Sequence, residues 1–409
     1  MAAQEPITTA VVLGTVGVLL LLTGLSTKVA QRLGLPLALA FLGLGMLAGS
    51  EGLGGIAFED YALTYRMGTA ALVLILFEGG LNTGWSGIRR VAAPAAVLAT
   101  AGVAGTAAAV AGAGHALGMP WAESLLLGAV VSSTDASALF PVLKGGGLRL
   151  RGRVSLTLEA ESGLNDPVAV LLTGALVTAL QHGGHPSLSL LWVLPWEFGL
   201  GALSGWVLGR LGRTLLSNVS LQSEGLYSVL SMAIPLLAFG LTTLLKGSGF
   251  LAVYVAGLVV AEGPLPVRRH LRTVHGSLSW FAQIGMFLML GLLVFPSRLL
   301  PVAGLGLVLA LFLAVVARPL VTLLCLLPFG FSRREVAFMG WTGLRGAVPI
   351  ILATAPVLAH VQGGERLFNL VFFMVVVNAL VPGATIAWAA RALGMEDGQA
   401  PRSNGQMEG

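Results

Sequence analysis

Charge is what this sequence has least of: only 10% of its 409 residues are Asp, Glu, Lys or Arg, where a soluble domain carries about 25%. With 56% hydrophobic residues the chain is read as an integral membrane protein. Alternation of apolar with polar residues is also missing, and the apolar runs last about 20 residues, so the spans read as helices and a β-barrel is excluded. The one cysteine, Cys325, lies inside an apolar run, which leaves no disulfide framework. No nucleophile paired with a base and no metal-ligand cluster stands out, so an enzyme reading has nothing to rest on and no cofactor is implied. No basic segment precedes the first apolar run, while Lys28 and Arg32 follow it; the run is a first span rather than a cleaved signal peptide. The net charge of +5 sits in loops, where it sets topology and gives no footprint for nucleic acid.

What is present is a series of thirteen candidate spans, near 7–27, 35–50, 62–82, 91–117, 121–143, 154–180, 190–212, 225–246, 248–262, 274–296, 299–326, 335–360 and 365–393. Loop charge tests the count. With the N-terminus outside, seventeen of the 23 basic residues fall in inner loops and four in outer segments, leaving Arg318 and Arg345 inside spans. Adding or dropping one span scrambles that alternation. The expectation is therefore an all-α polytopic membrane protein, N-terminus outside and C-terminus cytoplasmic. Its transmembrane part covers 1–394, and 395–409 is a short disordered tail with no soluble domain after it. A weak internal repeat accompanies this: Thr134 precedes Pro141 by seven residues in span 5, as Thr342 precedes Pro349 in span 12. Seven spans separate the two, and an odd separation makes the halves enter the membrane from opposite sides, an inverted-topology repeat. Both stretches are expected to unwind and to aim half-helix ends at a shared site.

The polar residues gather on one span. In EAESGLNDPVAVLL, Glu159 to Leu172, about 100° per residue places Glu161 beside Asn165 and Ser162 beside Asp166, all in one sector. Pro167 removes a backbone donor and frees the carbonyl four residues back, which a lined cavity allows and lipid does not. Ionisable groups inside a span are costly unless partnered, and they mark ion pathways. Glu159 reads more simply as a helix cap near the surface. In span 5, Thr134 and Asp135 bring a hydroxyl, a carboxylate and loosened carbonyls, an oxygen set suited to a hard monovalent cation. Capping the helix that resumes at Ala136 is the plainer role and is compatible with the first, and Asp135 also reads as neutralising positive helix ends. In span 12, Arg345 needs a buried partner, and Glu161 is the carboxylate inferred to pair with it. That leaves Asp166 as the one free to titrate. Other features carry less. Glu78 in LFEGGLNTGW reads as a cap or loop contact, and Arg318, before Pro319, as a snorkelling or helix-end group. His182 and His185 read as plain loop, Lys144 to Arg153 as inner positive charge beside anionic lipid, and the Gly201, Gly205, Gly209 series as a packing stripe.

With these residues in view, LFEGGLNTGW, VSSTDASALF, LEAESGLNDPVAV, GSGFLAVYVAGLV, AQIGMFLMLGLLVFPSRL and GLRGAVPIILAT resemble the monovalent cation-proton antiporter superfamily. The branch is NhaP-like, and the subgroup is the bacterial potassium-proton antiporters of cell-volume regulation. The resemblance implies an NhaA-like fold and a homodimer. Core helices at about 91–180 and 299–393 would move against dimerisation helices at about 1–82 and 190–296. It implies that Asp166 is the shared cation and proton carboxylate, that Thr134 and Ser162 supply ligands, that Asp135 acts through water, and that Asn165, Glu161 and Arg345 stabilise the core. Asn165 in place of a second Asp marks the branch held to be electroneutral. Members commonly continue into a cytoplasmic regulatory domain that this chain lacks, so regulation through one is not expected. Exchange of K+ or Na+ for H+ in a bacterial inner membrane, serving pH homeostasis, is the leading expectation. A passive channel would need a continuous pore, and a proton-coupled carrier of another solute a more aromatic pocket than Phe140 and Trp341 provide.

Overall fold

A computed structural model describes residues 5–33, 36–83, 85–181 and 190–396. The helices in chain order are α1 (Glu5–Leu33), α2 (Leu37–Ala48), α3 (Tyr61–Asn82), α4 (Trp85–Val97), α5 (Val103–Ala116), α6 (Trp121–Val130), α7 (Ala136–Gly145), α8 (Gly152–Gln181) and α9 (Leu190–Asn218). They continue as α10 (Glu224–Leu244), α11 (Gly249–Val260), α12 (Arg268–Leu292), α13 (Pro296–Phe312), α14 (Arg318–Leu326), α15 (Arg333–Trp341), α16 (Ala347–Leu358) and α17 (Gly364–Ala392). Among the described residues there is no β-strand, only two isolated bridges. Each expected span falls on helix, and seven helices are long and apolar enough to cross a membrane. The His182 to His185 loop and residues 397–409 lie outside the described residues. Met395 is buried, and its carbonyl accepts the Arg151 N–H at 3.1 Å.

Helix ends follow local chemistry. Asp60 caps α3 by accepting the Leu63 N–H at 2.8 Å, and Ser332 with Glu335 forms a capping box on α15, each satisfying donors that the first turn leaves unpaired. Small residues then set the helix crossings. A Cβ on Gly205 would stand 2.4 Å from the Ala252 carbonyl oxygen, and one on Gly80 would stand 2.5 Å from that of Tyr254. The glycine stripe is thus a packing surface, seating α9 on α11, while Gly80 brings α3 onto the same helix.

Two features position the site. First, α6 and α7 are separated by a non-helical stretch at 131–135, and α15 and α16 by another at 342–346. The two stretches touch: the Asp135 N–H donates to the Leu344 carbonyl at 2.8 Å. Unwinding was expected in both. Second, α4 runs into α5 through a π-helical turn at Leu98–Gly102, and α13 into α14 through another at Leu313–Ala317. The span before each broken one, α4–α5 before α6–α7 and α13–α14 before α15–α16, therefore carries the same irregularity, the pattern that a repeat predicts. Between them α8 runs unbroken for 30 residues; Pro167 costs it one hydrogen bond and does not interrupt it.

Candidate functional site

α8 presents Glu161, Asn165 and Asp166 buried, with Ser162 half-buried, against the 131–135 stretch. The Ala136 N–H, released because the helix starts there, donates to Ser162 Oγ at 3.0 Å. Asn165 Nδ2 donates to Thr134 Oγ1 at 2.6 Å, and Thr134 Oγ1 donates to Glu161 Oε1 at 3.4 Å. The same Glu161 oxygen accepts Arg318 Nη2 at 2.6 Å, with both side chains at most 3% exposed. Asn165, Thr134, Glu161 and Arg318 are one hydrogen-bonded chain that locks α8, the unwound stretch and α14 together. Buried polar groups arranged this way fix a single geometry, because each would be costly alone.

The expected Glu161–Arg345 pair is not formed. Arg318 takes the carboxylate, and the guanidinium nitrogens of Arg345 make no hydrogen bond among the described residues. Arg345 is held instead through its backbone, whose N–H donates to Asn378 Oδ1 on α17 at 3.1 Å. The reason lies in the π turn before Arg318: one inserted residue turns everything after it by about 100°, which regular periodicity does not foresee. Arg318 and Asn378 make contacts at the site that sequence reasoning did not assign to them. Both are polar groups in otherwise apolar runs, which was the available signal.

Asp166 stands apart from that chain. It is 8% exposed, its Oδ1 has no hydrogen-bond partner among the described residues, and Ser133 and Asp135 lie beside it. Ser133, also buried, was not singled out from sequence. Asp135 is set against the start of α16: a Cβ on Gly346 would lie 1.8 Å from Asp135 Oδ2. Only glycine lets the carboxylate reach the positive end of that helix. A cavity of about 180 Å³ reaches this group from one end of the molecule, lined among others by Glu78, Glu159, Asp135, Ser162, Asp166 and Tyr254. Glu78, expected only as a cap or loop contact, accepts from Asn82 Nδ2 and also faces the cavity. Glu159 accepts from Thr83 Oγ1 at 3.0 Å.

The arrangement offers a small cation hydroxyl oxygens and the neighbouring carboxylates of Asp135 and Asp166, in a cavity that Glu78 and Glu159 also line. No group of three or more His, Cys, Asp or Glu among the described residues could hold a resident metal ion. Against known families, residues 17–392 match the model described as sodium/hydrogen exchanger, transmembrane. The chain belongs to this family. Among exchangers of known annotation it is 43% identical to the K(+)/H(+) antiporter NhaP of Alkalimonas amylolytica over 93% of this chain and 66% of the relative. It is also 43% identical to the K(+)/H(+) antiporter NhaP2 of Shewanella oneidensis, over 92% and 66%. The chain thus spans just under two thirds of the length of these relatives. The exchanger fold is shared with the sodium proton antiporter MjNhaP1 of Methanocaldococcus jannaschii, at a TM-score of 0.80 and 24% identity over 93% of this chain and 99% of that one.

Proposed function

We propose that this exchanger is a secondary antiporter that trades K+ or Na+ for H+, with Asp166 holding either one proton or one cation in turn. The observation that carries the reading is a buried carboxylate with an unpartnered oxygen at the end of a narrow cavity, beside two touching helix breaks. A channel needs a through-pore, whereas a single cavity ending at one buried carboxylate suits alternating access. Thr134 keeps one hydroxyl lone pair after accepting from Asn165, and Ser162 one after accepting from Ala136, so both remain able to ligate a cation along with Asp166 and, directly or through water, Asp135. Glu161, Asn165 and Arg318 stabilise the core, and Arg345 supplies fixed positive charge near it. Potassium is the favoured cation, supported by the relatives of highest identity given above. The thirteen spans, the NhaA-like inverted repeats, the core and dimerisation bodies, the homodimer, and the orientation with the N-terminus outside a bacterial inner membrane belong to the same proposal.

Proteoliposomes carrying a pH dye test it. Cation addition should drive proton movement in the parent protein, and Asp166→Asn should reduce it to the protein-free background while leaving the thermal melt intact. Substantial exchange by a folded Asp166→Asn protein would mean that the site is elsewhere.

A further inference from the structure

The cavity to Asp166 opens at the Asn82 end of α3. At about 1.5 Å per residue, the 22 residues of α3 put its other end, Tyr61, some 33 Å away. Contacts there close the molecule. Tyr61 meets Phe368 of α17 edge-on at 5.4 Å, and a Cβ on Gly68 would stand 2.8 Å from Ile351 Cδ1 of α16, so α3 is packed tightly against both helices. A recess of about 670 Å³ ends above this seal, lined by Glu59, Tyr61, His360, Glu365 and Arg366 among others.

Across the closed end runs a set of polar ties. Arg298, near the start of α13, meets Glu59 at 2.9 Å and Glu365 at 3.8 Å, and its guanidinium lies 4.1 Å above the Phe295 ring. One residue earlier, Ser297 donates its N–H to Glu51 Oε2 at 2.8 Å and its hydroxyl to Glu51 Oε1. These two donors hold the Glu51 carboxyl below its ordinary range. Glu51 and Glu59 both sit in the connection from α2 to α3, about 240 residues away in sequence. Ser297 and Arg298 stand directly after the short connection from α12 to α13, where the proposed dimerisation body hands over to the core. The ties therefore join one body to the other at their covalent junction.

Their chemistry differs from that of the central pair. Arg298, Glu59 and Glu365 are each at least 40% exposed, and exposed pairs are weak and exchange readily with water. Glu161–Arg318 is buried, and separating it would strand two charges. Weak, water-facing ties across a junction suit contacts that form and break in each cycle.

We propose that Glu51–Ser297 and Glu59–Arg298–Glu365 form a releasable latch, which holds the end of the molecule opposite the cavity closed and must part before Asp166 can face that side. The inference rests on the antiport reading for its purpose, but the latch is read by distances as well as by flux. On a Cys325→Ala background, spin labels at Leu53→Cys and Leu300→Cys, at residues 96% and 77% exposed, report the separation across it. The intact latch should give one narrow distribution. Arg298→Gln should add a longer distance or raise its population about two- to fivefold. Identical distributions with and without Arg298 would overturn the proposal. In a second arm, Glu59→Cys with Arg298→Cys is joined by a short, cleavable bifunctional thiol reagent. Cation-proton exchange should fall about tenfold or more on joining and return on cleavage; undiminished exchange by the joined protein would also overturn it. If the parent protein exchanges nothing, the antiport reading fails while the distances still decide the latch.

Discussion

The two helix breaks are built by the same device and put to different use. In the first half, the N–H set free at Ala136 is taken by Ser162 on α8; in the second, the N–H of Arg345 is taken by Asn378 on α17. Each break is thus held by a polar side chain from the long helix that follows it, and each is preceded by a helix with a π turn. The charges are opposite. The first break carries Asp135 and lies against Asp166, while the second carries Arg345 and offers the start of α16 to Asp135. On the proposed reading, the first half holds the cation and the second balances the charge around it.

Changes that attack this division sharpen it, beginning with the largest effect. Gly346→Ala forces a methyl into the position of Asp135 Oδ2, so exchange in proteoliposomes should fall to background. Activity near the parent level would show that Asp135 need not sit on the start of α16. Next come the central ion pair and its two arginines. Removing Glu161 or Arg318 alone should destabilise the protein by about 3–5 kcal/mol, because a buried charge is stranded. Removing both should cost less than the sum, whereas Glu161 with Arg345 should show smaller coupling. Thermal melts of the singles and doubles read this, and additive losses for Glu161 with Arg318 would rule out the pair. Smaller again are the two acceptors. Asn378→Ala should cost about 1–3 kcal/mol by leaving a buried N–H unmet, and Ser162→Ala less, because the Ala136 N–H is part-buried beside the cavity. Only Ser162→Ala should also raise the apparent cation KM, since only the first break belongs to the binding half. Equal KM changes in both variants would erase the distinction.

How much of this the sequence carried differs between the same two halves. Glu161, Ser162, Asn165 and Asp166 sit within six residues on one regular helix, so simple angular spacing placed them correctly relative to one another, and Thr134 and Asp135 announced the break beside them. The second half was harder. Arg345 was visible as a buried charge, but the sequence offered two buried arginines for one carboxylate, and the π turn at Leu313–Ala317 re-aimed Arg318 toward Glu161. Asn378 serves a backbone donor that exists only because 342–346 is unwound. The latch residues stayed hidden for another reason: Glu51 and Ser297 are 246 positions apart, and exposed charged residues in loops look alike in a sequence.

The proposed antiport assigns both ions to one carboxylate. On that reading, with Glu161 tied to Arg318 and Asn165 unable to titrate, Asp166 alone would alternate between one proton and one cation, so +1 would cross in each direction and no net charge would move. Protons and cations then compete: apparent cation affinity should fall as pH falls, and high cation should shift the pH optimum downward. The most direct test clamps the potential of proteoliposomes with valinomycin and K+, with Na+ as the transported ion if it is accepted, and measures exchange at fixed gradients across a range of voltages. One carboxylate predicts a rate independent of voltage and no current. A current, or a rate that follows the voltage, would show that Asp135 or another carboxylate titrates in the cycle and would contradict the account.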